Sequence, residues 1–350
     1  MKYTIQFLSL NFKTPAGTSR GYLIAKPSWI LTLENDGIKG IGEISIIDGL
    51  SPEFENIPAF EKNIHYIIQH YRAFCNKYPD KGINHFIQEN PEIKKYPSIL
   101  FGLESACFDL LHGGKEKYFL NEFTEGKKSI PINGLVWMGE ASYMLEQVED
   151  KILQGFNTIK LKVGALDWEK EIQILETIRS QYDKSKITIR LDANGAFDAT
   201  KALEKLETLK EFDIHSIEQP IKPGLIESMT QICQQSQIPI ALDEELIGIT
   251  LIEDKERLIQ EIKPQYIILK PSLHGGISGS QEWITCAEKQ NINWWMTSAL
   301  ESNIGLNTIA QFAGEYENPL PQGLGTGSLY TNNVPSDLTV EAGFIFKKRD

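Results

Sequence analysis

The chain has 350 residues, more than the roughly 250 of a complete α/β barrel, so a second domain is expected. Its net charge of −12 argues against non-specific attraction to nucleic acid or to an anionic membrane surface. The four cysteines form no CxxC pair and no apolar run approaches the ~20 residues of a membrane span, so we expect a cytoplasmic protein.

The first part of the chain has the pattern of strands followed by helices. We expect strands at residues 3–12, 29–33 and 38–46. Residues 13–21 are rich in turn formers and predict a loop, and Asn35-Asp-Gly37 predicts a tight hairpin. Apolar residues at helical spacing follow around 64–71, and a second helix is expected over 98–111. This order predicts an α+β domain over residues 1–128.

From Ile130 the pattern changes to strands that alternate with amphipathic helices. Strands are expected at 130–135, 158–163, 187–192, 215–218, 239–243, 266–270 and 293–297, with 322–325 as the candidate eighth. The fold class predicted is therefore α/β, a modified TIM barrel of the (β/α)7β type over residues 129–327. Alternation reappears at 338–346, so residues 328–350 are expected to return to the first domain and complete an α+β capping domain over the barrel's catalytic face.

Two lysines stand in the second of the predicted barrel strands. In Thr158-Ile-Lys-Leu-Lys-Val163, Lys160 and Lys162 alternate with apolar residues. Alternate side chains of a strand share a face, so both ammonium groups point one way and the apolar side chains the other. Two inward lysines are unusual unless a site uses them, and this strand is therefore a candidate part of an active site.

Four further charged residues end the strands that follow. They are Asp192, Glu218, Asp243 and Lys270. Successive members are 26, 25 and 27 residues apart, about the length of one strand plus one helix. The charges therefore recur at the carboxyl ends of parallel strands, where the side chains of a barrel converge on one site.

The residue types at these positions predict a metal-assisted proton abstraction. Asp192, Glu218 and Asp243 would repel one another unless a cation lay among them, and oxygen donors suit Mg2+, with Mn2+ as the alternative. A small carboxylate substrate bound there would lie between Lys162 and Lys270. The cation would stabilise the enolate that forms when the α-proton is removed. A lysine can be the base if burial and nearby positive charge lower its pKa, and Lys270 can stabilise negative charge or act as an acid.

These segments resemble the enolase superfamily and, within it, the muconate-lactonizing subgroup. The resemblance covers nearly the whole chain. It is carried by the KxK pair, Asp192-Ala-Asn-Gly195, Glu218-Gln-Pro220, Asp243-Glu-Glu245 and Lys270-Pro-Ser272. Segments similar to the o-succinylbenzoate synthase family are Gly40-Ile-Gly-Glu43, Gly49-Leu-Ser-Pro-Glu53, Pro131-Ile-Asn-Gly-Leu135 and Thr297-Ser-Ala-Leu-Glu-Ser-Asn-Ile-Gly305.

The resemblance implies a lyase that dehydrates a succinyl-hydroxycyclohexadiene carboxylate to o-succinylbenzoate, a step of menaquinone biosynthesis. It implies that Lys162 removes the α-proton and protonates the departing hydroxide on the same face. Lys270 would stabilise the enolate. Asp192, Glu218 and Asp243 would bind Mg2+.

Several other residues are expected to support the site or to contact the substrate. They are Lys160, Arg190, Asn194, Ser298, Glu301, Ser302, Asn303 and Arg20. Arg190 and Asn194 share a strand face with Asp192 and are expected to orient the inner network. The polar residues after the seventh strand and Arg20 in the first loop are expected near the substrate's carboxylates. Glu301 is itself an anion, so it is expected to act through hydrogen bonds to its neighbours.

The closest alternatives are an N-succinylamino acid racemase and a dipeptide epimerase of the same superfamily. A 1,1-proton transfer needs two lysines on opposite faces, and Lys162 with Lys270 would supply them. Dipeptide epimerases carry an Asp-x-Asp pair near the eighth strand, where this chain has Gly323-Leu-Gly-Thr-Gly327. A muconate cycloisomerase fits the synthase-like segments less well. A non-catalytic ligand-binding barrel is the remaining alternative, and it would have no use for buried bases.

Overall fold

The computed structural model of the chain describes residues 1–18 and 21–348. From the N-terminus, the chain forms an antiparallel sheet with helices, then a barrel, and then a two-stranded C-terminal segment. The strands are β1 (Lys2–Thr18), β2 (Gly21–Asn35), β3 (Ile38–Ser45), β4 (Ile130–Pro131), β5 (Gly134–Val136), β6 (Thr158–Lys162), β7 (Thr188–Asp192), β8 (Ile214–Glu218), β9 (Ile240–Leu242), β10 (Tyr266–Leu269), β11 (Asn293–Met296), β12 (Leu338–Glu341) and β13 (Phe344–Lys347). The helices are α1 (Ile57–Lys77), α2 (Ile83–Glu89), α3 (Pro97–Leu111), α4 (Ala141–Leu153), α5 (Trp168–Gln181), α6 (Ala202–Leu209), α7 (Ile226–Gln235), α8 (Ile252–Ile262), α9 (Gly276–Lys289) and α10 (Asn303–Ala313).

The N-terminal part is an antiparallel sheet, in the order β1-β2-β3, with helices packed against it. The buried face of α1 carries Ile64, Ile67, Ile68 and Tyr71, which confirms the helix predicted from their spacing. These side chains share one hydrophobic core with the sheet residue Trp29 and with α3. The α+β pattern expected for this part of the chain is therefore present.

Helix α3 lies directly on β3 because small residues face each other at the contact. Gly42 on β3 has no room for a side chain, since a Cβ there would overlap the carbonyl oxygen of Gly102 on α3. The obstructing atom belongs to the backbone and cannot rotate away. This close approach packs β3, the strand that carries Glu43, directly against α3.

The substitution Gly42→Ala is therefore expected to lower the free energy of unfolding by about 3 kcal/mol, at the upper end of overpacking effects. Chemical denaturation followed by circular dichroism measures it. Gly82→Ala is the matched control, because a Cβ at Gly82 meets no atom within 4 Å. Gly82 is the N-cap of α2, where Gly is preferred over Ala, so the control is expected to lose no more than about 1 kcal/mol. Equal losses in both variants would contradict the close-packing explanation.

The predicted loop over residues 13–21 is wrong for the part that the structure describes. Strand β1 continues to Thr18, and its pairing with β2 resumes at Ala16 opposite Leu23 after a register shift that begins past Asn11. The turn-forming residues are accommodated in this irregularity of the strand rather than in a separate loop.

The second part is a parallel sheet of seven strands in the order β11-β10-β9-β8-β7-β6-β5, with helices between successive strands. The sheet closes through the segment predicted as the eighth strand. Gln322 bridges to Ile132 before β5, and Gly323 bridges to Thr297 after β11. The predicted (β/α)7β barrel is therefore confirmed, with its last position reduced to two bridges.

None of the helices within residues 1–18 and 21–348 has both the length and the apolar character that a bilayer span requires.

The C-terminal segment makes contacts with both parts of the molecule. Residues 329–332 bond to β1, where Lys13 donates to Leu329 O and Thr331 donates to Asn11 O. Strands β12 and β13 pair with each other, and β13 pairs with β4 rather than with the first sheet. The expected strand 130–135 is correspondingly split, because Ile130 and Pro131 join the tail and the barrel strand starts at Gly134. We propose that the chain divides, as expected from the sequence, into a capping domain over residues 1–128 and a barrel over residues 129–327. The C-terminal segment contacts both.

Candidate active site

Two lysines and two carboxylates occupy neighbouring strand ends at the mouth of the barrel. Lys160 and Lys162 lie on β6, and the apolar residues that alternate with them, Ile159, Leu161 and Val163, belong to the buried core. In the strand register Lys162 is paired with Asp192 at the end of β7, and Asp192 is paired with Glu218 at the end of β8. The register therefore brings these charges side by side, as strand-end positions predict.

Asp243 and Lys270 complete the set of charges on the far side of the barrel. Asp243 follows β9, and Lys270 follows β10. Around the closed barrel Lys162 belongs to the second strand position and Lys270 to the sixth. Positions separated by half the circumference face each other, so the two amines approach the central cavity from opposite sides. Both lysines line this cavity, as do Lys160 and Asp192.

Lysine ammonium groups lie between the three carboxylates. Lys160 Nζ is 2.9 Å from Asp192 Oδ2 and 2.5 Å from Glu218 Oε2, and Lys162 Nζ is 3.1 Å from Asp192 Oδ2. Lys270 Nζ bonds to Asp243 Oδ2 and is 3.7 Å from Glu218 Oε1. Among the described residues, no three acidic, histidine or cysteine side chains form a ready-made metal-ligand cluster. Lysine ammonium groups thus contact the three carboxylates among which a cation is expected from the sequence.

The network shifts the pKa values of its members in different directions. Burial would raise the pKa of Asp192, but the ammonium groups of Lys160 and Lys162 outweigh it and hold that pKa below its ordinary value. Burial raises the pKa of Asp243 well above its ordinary value, and Lys270 offsets only part of the rise. Burial would lower the pKa of Lys270, but Asp243 and Glu218 raise it. Lys270 is therefore held as an ammonium ion, which suits it to stabilise negative charge.

The three carboxylates fit a divalent cation on two grounds. Among the described residues, Glu218 Oε1 and Asp243 Oδ1 are buried and have no hydrogen-bond partner. Buried, unsatisfied carboxylate oxygens are costly, and a cation would satisfy them. The set also supplies only oxygen donors, which Mg2+ and Mn2+ prefer. Asp192, Glu218 and Asp243 are thus the residues that could hold such an ion.

Two residues with left-handed backbone conformations hold the loops of the site. Asn194 has φ of 43°, accepts a hydrogen bond from Lys162 Nζ at 2.6 Å and donates one to Glu244 Oε1 at 3.0 Å. Gln219 has φ of 39°, and its Oε1 accepts from the backbone N–H of Asp243 at 3.1 Å. The structure thus brings the predicted Asn194 to Lys162. Gln219 is not among the predicted residues, although its position directly after Glu218 could have indicated that it belongs to the site.

Arg190 lies in the barrel interior beneath the network rather than at the cavity wall. Its guanidinium carbon is 3.9 Å from the centre of the Trp295 ring, and its Nη1 donates to Pro321 O at 2.6 Å. Burial lowers the pKa of Arg190 to about 10, although the nearby Glu218 acts to raise it. The positive charge of Arg190 therefore interacts with Glu218, one member of the network.

The polar residues after β11 divide into one that faces the cavity and three that lie behind it. Ser298 lines the cavity. Glu301 is fully buried and accepts hydrogen bonds from Ser272 and Ser298. Ser302 caps α10 and bonds to Glu43, and Asn303 Nδ2 donates to Val334 O at 2.6 Å. Helix capping therefore uses the hydroxyl of Ser302, one of the groups that the sequence suggests for substrate contact. Arg20, the other predicted contact, lies outside the described residues.

The capping domain closes the cavity with mostly apolar side chains that sequence reasoning does not identify individually. Leu23 from β2 and Ile47, Asp48 and Leu50 from the segment after β3 form this wall. Leu135, Trp137, Asn133 and Thr326 line it from the barrel. In the sequence, the turn residues around Gly49 could have indicated this part of the wall, because a loop between a strand and a helix can reach a neighbouring barrel mouth.

Comparison with known proteins matches both the barrel and the whole chain. A family model described as enolase C-terminal domain-like matches residues 143–347. The o-succinylbenzoate synthase of Desulfotalea psychrophila is 43% identical over 99% of this chain and 98% of that protein. The crystal structure of MenC from Desulfotalea psychrophila superimposes with a TM-score of 0.86 at 39% identity, covering 99% of both chains. A dipeptide epimerase from Enterococcus faecalis, complexed with Mg and the dipeptide L-Leu-L-Tyr, shares the fold with a TM-score of 0.83 at 20% identity, over 99% of this chain and 96% of that one.

Proposed function

Because the chain belongs to the enolase C-terminal domain-like family, we propose that it is an o-succinylbenzoate synthase, a lyase that removes water from a succinyl-hydroxycyclohexadiene carboxylate. The observation that carries this proposal is the identity of 43% to a synthase over the full chain, capping domain included. The two lysines that face each other across the carboxylate-lined cavity agree with it. The product would enter menaquinone biosynthesis, and the four free cysteines agree with a cytoplasmic enzyme.

In this mechanism Lys162 works as the base. Its neutral amine takes the proton from the carbon that bears the carboxylate, and the electron pair moves into the carboxylate as an enolate. The pair then returns to form the ring double bond as the hydroxide on the neighbouring carbon leaves. The new ammonium group of Lys162 protonates that hydroxide on the same face, so water departs and the ring becomes aromatic. Asn194, 2.6 Å from Lys162 Nζ, orients the amine.

Positively charged groups stabilise the negative charge that develops on the substrate carboxylate. Lys270, which approaches the cavity from the side opposite Lys162, stabilises the enolate as an ammonium ion. Asp192, Glu218 and Asp243 would hold Mg2+, which when bound supplies positive charge to the same carboxylate. Mn2+ prefers the same oxygen donors. Lys160, bonded to Asp192 and Glu218, keeps these two carboxylates oriented.

The assay that tests this proposal compares three substrate classes. The purified protein with Mg2+ receives the cyclohexadiene carboxylate, N-succinylamino acids or dipeptides, and ultraviolet absorbance or chirality is followed. We expect rapid appearance of the aromatic product from the first class. The opposed lysines also suit a 1,1-proton transfer, so slower racemisation of succinylamino acids is compatible with the site. Turnover confined to the amino acid derivatives or dipeptides would reject the synthase.

A further inference from the structure

His274 is a buried histidine to which the reaction described above gives no part. It lies four residues after Lys270, in the turn that leads from β10 into α9, and it is only 2% exposed. Lys270 and Leu273, in the same turn, line the cavity, whereas His274 is not among the described residues that do so. A polar ring is costly to bury, so its hydrogen bonds indicate what it contributes.

Among the described residues, the imidazole ring of His274 makes one hydrogen bond, and it is with the backbone of Lys270. Its Nδ1 is 2.9 Å from the backbone nitrogen of Lys270. The other ring nitrogen, Nε2, is buried without a hydrogen-bond partner in the described part of the chain. A backbone N–H can only donate, so Nδ1 is the unprotonated acceptor and the ring proton is on Nε2. The ring therefore serves the backbone N–H of Lys270.

Neither neighbouring strand of the described barrel pairs with Lys270. The register of β10 with β11 ends at Leu269. The register of β10 with β9 ends earlier, at Ile267, because the chain after β9 enters a helical turn at Asp243. Lys270 lies beyond both ends, and an unpaired N–H in the interior is costly. The ring of His274 supplies the acceptor that the adjacent strands do not.

His274 also holds the carbonyl group of Lys270. The backbone N–H of His274 donates to Lys270 O at 3.0 Å, and the N–H of Leu273 donates to the same oxygen at 2.8 Å. Gly275 and Gly276, with φ of 89° and 76°, then lead the chain into α9. Both backbone groups of Lys270 are thus bonded to one residue four positions later, and the base of the lysine side chain is fixed with them.

We propose that His274 is a positioning residue for Lys270: its ring fixes the backbone at position 270 and thereby the point from which the ammonium group reaches the substrate. The Nζ of Lys270 bonds to Asp243 Oδ2 and is 3.7 Å from Glu218 Oε1, so it has little freedom to compensate for a displaced backbone. Without the imidazole acceptor, the N–H of Lys270 would turn towards another acceptor, and the ammonium group would move with it. This inference rests on the proposed function of Lys270.

The surroundings of the ring favour the neutral form that this hydrogen bond requires. Burial lowers the pKa of His274 well below its ordinary value, and the positive charges of Lys270 and Lys255 lower it further. A proton on Nδ1 would place one N–H against another and break the bond to Lys270. The bond is therefore compatible with a working enzyme near neutral pH.

The variants His274→Leu and His274→Asn are a matched pair that tests the inference. Both side chains branch at Cγ and have similar shapes, but only asparagine has an oxygen that can replace Nδ1 as the acceptor. A displacement of about 1 Å at a reacting group can cost about 100-fold in rate. We expect kcat for the dehydration to fall by about tenfold to a hundredfold in His274→Leu, with a much smaller change in KM, because the cavity lining is unchanged. His274→Asn is expected to recover most of the lost kcat.

The order of the two variants separates positioning from packing. Leucine fills a buried site with apolar atoms, so a purely structural role would leave His274→Leu at least as active and as thermally stable as His274→Asn. If His274→Leu does not fold, His274→Gln replaces it, because the amide of glutamine reaches the place of Nε2 rather than that of Nδ1. A folded variant without the acceptor that keeps parental kcat would overturn the inference, as would an asparagine variant no more active than it.

His112→Leu is the control for the loss of a histidine that bonds to the backbone. His112 follows α3, and its Nδ1 is 2.9 Å from Lys117 O. Neither residue is among the described residues that line the cavity. The control is expected to keep kcat, and a fall equal to that of His274→Leu would overturn the inference. Wild-type enzyme is assayed alongside: absent dehydration there rejects the proposed function, whereas active wild type with an unaffected His274→Leu rejects only this inference.

Discussion

The variant Lys162→Ala is expected to lower kcat for dehydration by about a thousandfold or more, within the upper range for loss of a general acid–base group. The same amine removes the proton and returns it to the leaving hydroxide, so both halves of the reaction lose their catalyst. Steady-state kinetics, read from the appearance of the aromatic product, measures the effect. Binding of the product to the variant, measured by calorimetry, is expected to persist because the carboxylates and Lys270 are unchanged.

Lys170→Ala is the control for removal of a lysine from the same region of the chain. Lys170 lies on α5, is largely exposed, and its Nζ is 3.6 Å from Asp167 Oδ2. Exposed ion pairs of this kind contribute about 0–1 kcal/mol to stability, and none of its contacts reaches the cavity. The control is expected to keep full activity. If Lys162→Ala folds and dehydrates the substrate at a rate near that of the control, Lys162 is not the base.

Removal of divalent cations is the second change expected to have a large effect. Chelation and dialysis should abolish dehydration, and added Mg2+ should restore it, because among the described residues that line the cavity only lysines would otherwise supply positive charge to the enolate dianion. The measurement pairs residual activity with metal content. The variant Glu218→Gln, which removes one of the three negative charges, is expected to need a higher Mg2+ concentration for half-maximal activity. Full activity in metal-depleted protein would contradict the assignment of Asp192, Glu218 and Asp243.

The charged strand ends can be predicted from the sequence because one physical regularity governs them. A strand plus its helix consumes a nearly constant number of residues, so Asp192, Glu218, Asp243 and Lys270 recur at the same height in the barrel. Alternation within a strand places Lys160 and Lys162 on one face. The barrel and its inner charges therefore follow from local patterns alone.

Contacts between segments distant in sequence are not accessible to the same reasoning. Ser302 reads as a polar loop residue, but its hydroxyl is used by α10 and by Glu43, which is 259 positions away. Strand β4 leaves the barrel because the tail strand β13 offers it antiparallel pairing, a choice that Ile130 and Pro131 do not reveal. The turn residues after Lys13 are absorbed by a shift in strand register. In each case a contact with a segment distant in sequence overrides the structure that the local residues favour.

The electrostatic arrangement of the site likewise depends on side-chain reach. The sequence indicates that carboxylates and lysines share the barrel mouth, but not which ammonium group contacts which oxygen. Lys160 spans Asp192 and Glu218, and Lys270 reaches Asp243, only because the strand register sets these heights. Lys162 instead contacts Asp192 and Asn194, so the two lysines have different partners.

A crystal structure of the enzyme with Mg2+ and o-succinylbenzoate would test the central claim most directly. We expect one cation bound by Asp192, Glu218 and Asp243 at about 2.1 Å, with the aromatic ring lying between the amines of Lys162 and Lys270. A cation bound elsewhere, or a ring with both lysines on the same face, would contradict it.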